Sequence, residues 1–156
     1  MQKALLGLVA FAAVVAGSAF AQTPTVQPDP PEVSPSPPGA AVFIIEPADG
    51  ATVTSPFTVK FGVKGMTIAP AGDDTPNSGH HHLLVDVDQM PDMRVPLPAN
   101  EHILHFGKGQ TETKLTLPPG KHTLQLVFGN YLHIPHDPPV ISKKITVTVV
   151  AAGGSG

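Results

Sequence analysis

Between residues 41 and 150 the chain runs in short stretches of alternating apolar and polar side chains, each closed by proline, glycine or an Asp-Gly turn. The clearest is Phe57-Thr58-Val59-Lys60-Phe61-Gly62-Val63. A strand turns successive side chains to opposite faces, so Phe57, Val59, Phe61 and Val63 fall together on an inward face. Leu124, Leu126 and Phe128 do the same in the stretch 122–128, and Val147 and Val149 near the end of the domain. Strands are predicted over 41–46, 57–63, 80–88, 101–106, 111–117, 122–128 and 140–150. No stretch carries a helical period. The segment 89–100 holds Pro91, Pro96 and Pro98 and is excluded as a central strand. About seven short strands with turns between them predict an all-β fold, an immunoglobulin-like antiparallel β-sandwich, with a closed Greek-key barrel as the nearest competitor.

The flanks change the picture of where this domain works. Residues 1–21 read as a secretory signal peptide: a basic head at Lys3, an apolar stretch from Ala4 to Gly17, and Ala19-Phe20-Ala21 as the cleavage site. Residues 22–40 form a Pro-rich linker, and 151–156 a flexible Gly-containing tail. The sandwich domain therefore spans 41–150 of an exported, periplasmic protein with no membrane anchor in its mature form. Without Lys3 the chain has 8 basic and 12 acidic residues, a net charge of −4. That balance argues against nucleic acid or an anionic membrane as partner. There is no cysteine, so a metal site must be built from His, carboxylate, Met or backbone.

Candidate chemistry starts at Gly79-His80-His81-His82-Leu83-Leu84-Val85. On a strand His81 shares the core face with Leu83 and Val85, while His80 and His82 share the other, roughly 6.5–7 Å apart along it. In an up-and-down reading of the sandwich, His105 at the close of the fourth predicted strand reaches the end where His80 and His82 begin theirs. His133 and His136, in the loop before the last strand, arrive at the same end. The predicted ligands are thus His80, His82, His105, His133 and His136, with His81 and His102 as secondary candidates. His81 reads equally as a core plug. His122, at the far end, reads as a strand-entry residue against the core. Gln110, Glu112 and Asp137 are the nearby polar residues that could orient the rings. A sulfur-free, His-rich site suits Cu(II), Zn(II) or Ni(II), and compartment and ligands favour copper, with zinc the alternative. Met90 and Met93 would suit Cu(I), but they follow the His-bearing strand toward the other end and read better as capping residues.

Four blocks resemble a bacterial family, the domain of unknown function 4399. They are Gly79 to Asp86; His105-Phe106-Gly107-Lys108-Gly109-Gln110-Thr111-Glu112; Pro119-Gly120-Lys121-His122-Thr123-Leu124-Gln125-Leu126; and His133-x-x-His136-x-Pro138-Pro139-Val140-x-Ser142. The resemblance covers 41–150 and implies a short exported protein. It brings no agreed activity. It also implies Asp where this chain has Asn130.

The expectation is a periplasmic metal-binding protein that stores, buffers or delivers its ion. One alternative is a module that uses the same loops to grip an envelope protein or another ligand; a second is a His-ligated metalloenzyme. The sequence leans away from an enzyme: it has no G-x-S-x-G elbow, no phosphate loop and no H-E-x-x-H.

Overall fold

A computed structural model describes residues 32–152. The predicted signal peptide, the linker up to residue 31 and the last four residues of the tail lie outside the described residues. Nine strands are present among them: β1 (Ala41–Glu46), β2 (Thr52–Thr54), β3 (Phe57–Lys64), β4 (Thr67–Ile68), β5 (Ser78–Val85), β6 (Ile103–His105), β7 (Glu112–Leu115), β8 (Gly120–Gly129) and β9 (Ile145–Val150). The all-β sandwich is therefore what forms. The two strands that periodicity missed, β2 and β4, are only three and two residues long. They pair in parallel with β9 and β5.

β1, β3 and β7 make one sheet; the other runs β2-β9-β8-β5-β4, with β6 beside β5. The core between them is built from the predicted alternation. Val59, Phe61, Leu83, Leu124, Leu126, Phe128, Val147 and Val149 are buried there. The third predicted strand stops early, at Val85, because Asp86 takes a left-handed conformation (φ 55°) and turns the chain. The last one starts late, at Ile145; before it, Ile141 makes only an isolated bridge to Val127.

The larger sheet is covered on its outer side as well. Leu84, Val127 and Ile103 project outward and pack against Leu97, Met93, Val87 and Ile141, supplied by the segments on either side of the sheet. All eight residues of β5 are buried in consequence. A strand enclosed on both faces reads as a continuous apolar run rather than an alternation, which explains Leu83-Leu84-Val85 and Leu126-Val127-Phe128.

The Pro-rich stretch is not a free spacer up to residue 40. Its described part lies along the loop 130–138: Pro35 bridges Asp137 in parallel fashion, Ser36 N donates to Asp137 O at 3.0 Å, and Asp137 N donates to Ser34 O at 3.0 Å. An extended Pro/Ser chain pairs readily where its few N–H groups find acceptors.

Candidate metal centre

β5 carries the centre. His80 and His82 point to the outer face of the larger sheet and are completely buried. Register brings the other elements to them: His82 is paired across to His105 on β6 and to Val127 on β8, and His80 to Gly129. Residues directly opposite in antiparallel strands project on the same side, so His105 joins His82. The loop after β8 then places His133 over the three. The ring centroid of His133 is 4.5 Å from that of His105, 5.1 Å from His80 and 6.0 Å from His82. His80 is 4.9 Å from both His82 and His105, and His82 is 5.2 Å from His105. Four imidazoles from three separate segments share one space.

Two glycines make that space. A Cβ on Gly129 would lie 2.7 Å from His82 Cε1, and one on Gly107 would lie 2.3 Å from His105 Cε1. Neither ring could hold its position beside any other residue. His133 also sits in a left-handed conformation (φ 67°), which costs a non-glycine residue about 1 kcal/mol or more. The surrounding loop enforces it: Asn130 Oδ1 accepts from Leu132 N at 2.9 Å and Ile134 N at 3.0 Å, and Leu97 N donates to His133 O at 2.9 Å.

The electrostatics favour neutral rings. Burial, then the neighbouring His105 and His133, pull His80 down to about 3. Burial, then His80 and His105, pull His82 down to about 2. His105 is lowered by the same causes, burial first and His133 second. His80 Nε2 and His105 Nε2 face each other at 3.1 Å, within hydrogen-bond distance. With metal–nitrogen bonds of about 2.0–2.1 Å, two ligands on one ion are about 2.9 Å apart at a square-planar right angle and about 3.4 Å apart in a tetrahedron. The observed separation lies between these. One ligating nitrogen from each of His80, His82 and His105 can be chosen so that all lie within 4.8 Å of one another. His80 Nδ1 and both nitrogens of His82 are buried without any hydrogen-bond partner. Each such orphan costs about 1–3 kcal/mol, and an ion bound among them would give the ligating ones the partner they lack.

The remaining histidines are elsewhere. His136 is not turned to the cluster: its Nε2 stands 3.1 Å from Ser78 O and its Nδ1 3.3 Å from Phe128 O, and its ring stacks on Phe128. A spacing of three residues inside a loop carries no information about which face a side chain takes. His102 is exposed at the edge, with Nδ1 3.0 Å from Val85 O. His122 is locked as a structural ion pair. Its Nδ1 donates to Asp86 Oδ2 at 2.6 Å and its Nε2 to Pro118 O at 2.9 Å, and the Asp86 carboxylate holds it protonated above its ordinary range. Of the polar residues expected to orient the rings, Gln110 accepts from Lys108 N and Asp137 pairs with the N-terminal segment. Among the described residues, no side-chain hydrogen bond ties Glu112 to the cluster. The cluster lies on the outer face of a sheet, under loops, rather than at a sandwich rim, because β6 pairs directly beside β5.

His81 is the core plug. It is wedged edge-on between Phe61 at 4.8 Å and Phe128 at 5.1 Å, with both nitrogens unpartnered and its protonation pushed down to about 4 by burial. His81→Leu is expected to raise the unfolding free energy at pH 7 by about 1–3 kcal/mol, since it removes two stranded polar atoms. Denaturant unfolding checks it; a loss of stability would mean that the ring has a partner after all.

The profile of a family described as Domain of unknown function (DUF4399) matches residues 59–150. The chain belongs to that family. All eight histidines lie inside the matched stretch, while β1 and the segment 32–40 precede it. No curated protein and no solved structure matches the chain.

Proposed function

We propose that this protein is an exported metal-binding protein that holds a copper ion, with zinc as the alternative, among His80, His82, His105 and His133, for storage, buffering or delivery in the periplasm. The observation that supports it most is the combination of convergence and vacancy of function. Three segments distant in sequence deliver imidazoles to one buried space, and ring nitrogens there have nothing else to bind. Neutral imidazole is the form that ligates, and burial keeps it so. The donor set is nitrogen-only, which suits Cu(II) and Zn(II) rather than Mg²⁺ or Ca²⁺. His80 and His82 form the closed floor, and the partly exposed His105 and His133 form the side through which an ion enters and leaves.

Titration of the mature chain with Cu(II) and Zn(II) tests this. His82→Ala and His105→Ala are expected to weaken binding by at least tenfold, as loss of a ligand should. His136→Ala is expected to leave the affinity within about twofold, provided the variant folds by circular dichroism. Weak binding that none of the first two changes alters would remove the proposal.

A further inference from the structure

Resting on the metal reading above, we propose that docking of the N-terminal arm, residues 32–36, and closure of the metal site are coupled through Asn130, which acts as a positioning residue for His133. Asn130 is buried and uses both halves of its amide. Its Oδ1 takes the amides of Leu132 and Ile134, the two neighbours of His133, and its backbone exchanges hydrogen bonds with the same turn: Asn130 N donates to Ile134 O at 2.8 Å and His133 N to Asn130 O at 2.9 Å. Its Nδ2 faces the other way and donates to Glu32 O at 3.2 Å and Ser34 Oγ at 3.0 Å.

The arm grips the far end of the same loop as well. Beyond the exchange of hydrogen bonds between Ser34, Ser36 and Asp137, Ser36 Oγ donates to Pro138 O at 2.7 Å. The loop that carries His133 is thus pinned at residue 130 and again at 137–138 by one extended segment. Everything between those pins includes the one ligand held in a strained backbone conformation. The hydrogen bonds that hold the arm to this loop are individually modest in net strength, so docking is reversible. Lifting the arm releases both pins and lets His133 relax out of the cluster; an ion bound by four rings is then held by three. A partner that takes up the arm would in this way lower the affinity at the moment of transfer. Linkage makes the effect reciprocal: bound metal tightens arm docking by the factor that docking adds to metal affinity.

The test uses the full mature chain, Cu(II) alone as the probe, and Ser36→Pro, which removes one N–H and one hydroxyl from the arm and touches no ring. Ser36→Pro is expected to weaken Cu(II) binding roughly tenfold, within the usual range of coupling between sites. In a His133→Ala background it should cause no further loss. Amide exchange at Asp137 should slow on adding Cu(II) to wild type and should not in the variant. In metal-free protein, Ser36→Pro should shift the ring resonances of His133 and leave those of His122 in place. Asn130→Asp, which keeps the acceptor and loses the donor to the arm, should reproduce the affinity loss. Wild-type affinity and unmoved His133 resonances in a variant whose Asp137 amide exchanges freely would overturn the coupling while leaving the metal reading intact. A wild-type chain that takes up no metal would overturn the metal reading, and this inference with it.

Discussion

The metal-free protein is expected to unfold in mild acid, with a midpoint between about pH 4 and pH 6. The unfolded chain protonates its histidines near 6.5, whereas His80, His81 and His82 accept protons in the folded state only at about 3, 4 and 2. Their folded values are depressed, so the stability tied to them is complete above 6.5 and is lost as pH falls below it. Each group removes about 1.4 kcal/mol per pH unit, so the three together remove roughly 4 kcal/mol per unit between about pH 6 and pH 4. A domain of this size commonly has about 5–15 kcal/mol in all. His122 has the opposite sign: its raised value gives stability that is present below 6.5 and lost as pH rises through its folded value. Between about pH 6 and pH 4 it is protonated in both states, so it leaves the slope set by the three unchanged. Far-UV circular dichroism against pH measures the midpoint. His81→Leu should reduce the slope by about a third, and saturating metal should move the midpoint to lower pH. A metal-free chain still fully folded at pH 3.5 would show that these rings are not enclosed as described.

Gly129→Ala is expected to lower metal affinity by about 10- to 100-fold, as much as losing a group that orients a ligand. The new methyl would meet His82 Cε1 at 2.7 Å and Nδ1 at 3.1 Å. His82 is boxed in by His80, His105 and Val127 and can only swing away from its neighbours. The same overpacking should cost the fold about 1–3 kcal/mol. Calorimetric titration alongside denaturant unfolding separates the two effects. Affinity equal to wild type, with only stability lost, would mean that His82 does not ligate.

Much of this histidine cluster could be read from the residues alone, and the failures have physical causes. Strand parity put His80 and His82 on one face and His81 on the other, because a period of two admits no third choice. His105 was found by its place at a strand end, although the route differed: it pairs beside His82 instead of meeting it at a rim. His136 was misplaced, since a loop has no parity. The glycines were the overlooked signal. Gly129 closes a strand opposite His80, and Gly107 follows His105 by two residues; an isolated glycine at the edge of a His-bearing strand marks a close approach. Asn130 donates through its amide to Glu32 O and Ser34 Oγ, which a carboxylate could not do; nothing in the sequence points to those partners. The family resemblance was confirmed over 59–150.

The chain has a single tyrosine and no tryptophan. Tyr131 stands two positions before His133, and its carbonyl is fixed by the amide of Gly72 at 3.0 Å. Nearly all near-ultraviolet emission of the whole molecule therefore originates two residues from His133. Without any label, a paramagnetic ion entering should darken that emission, whereas a closed-shell ion should leave most of it.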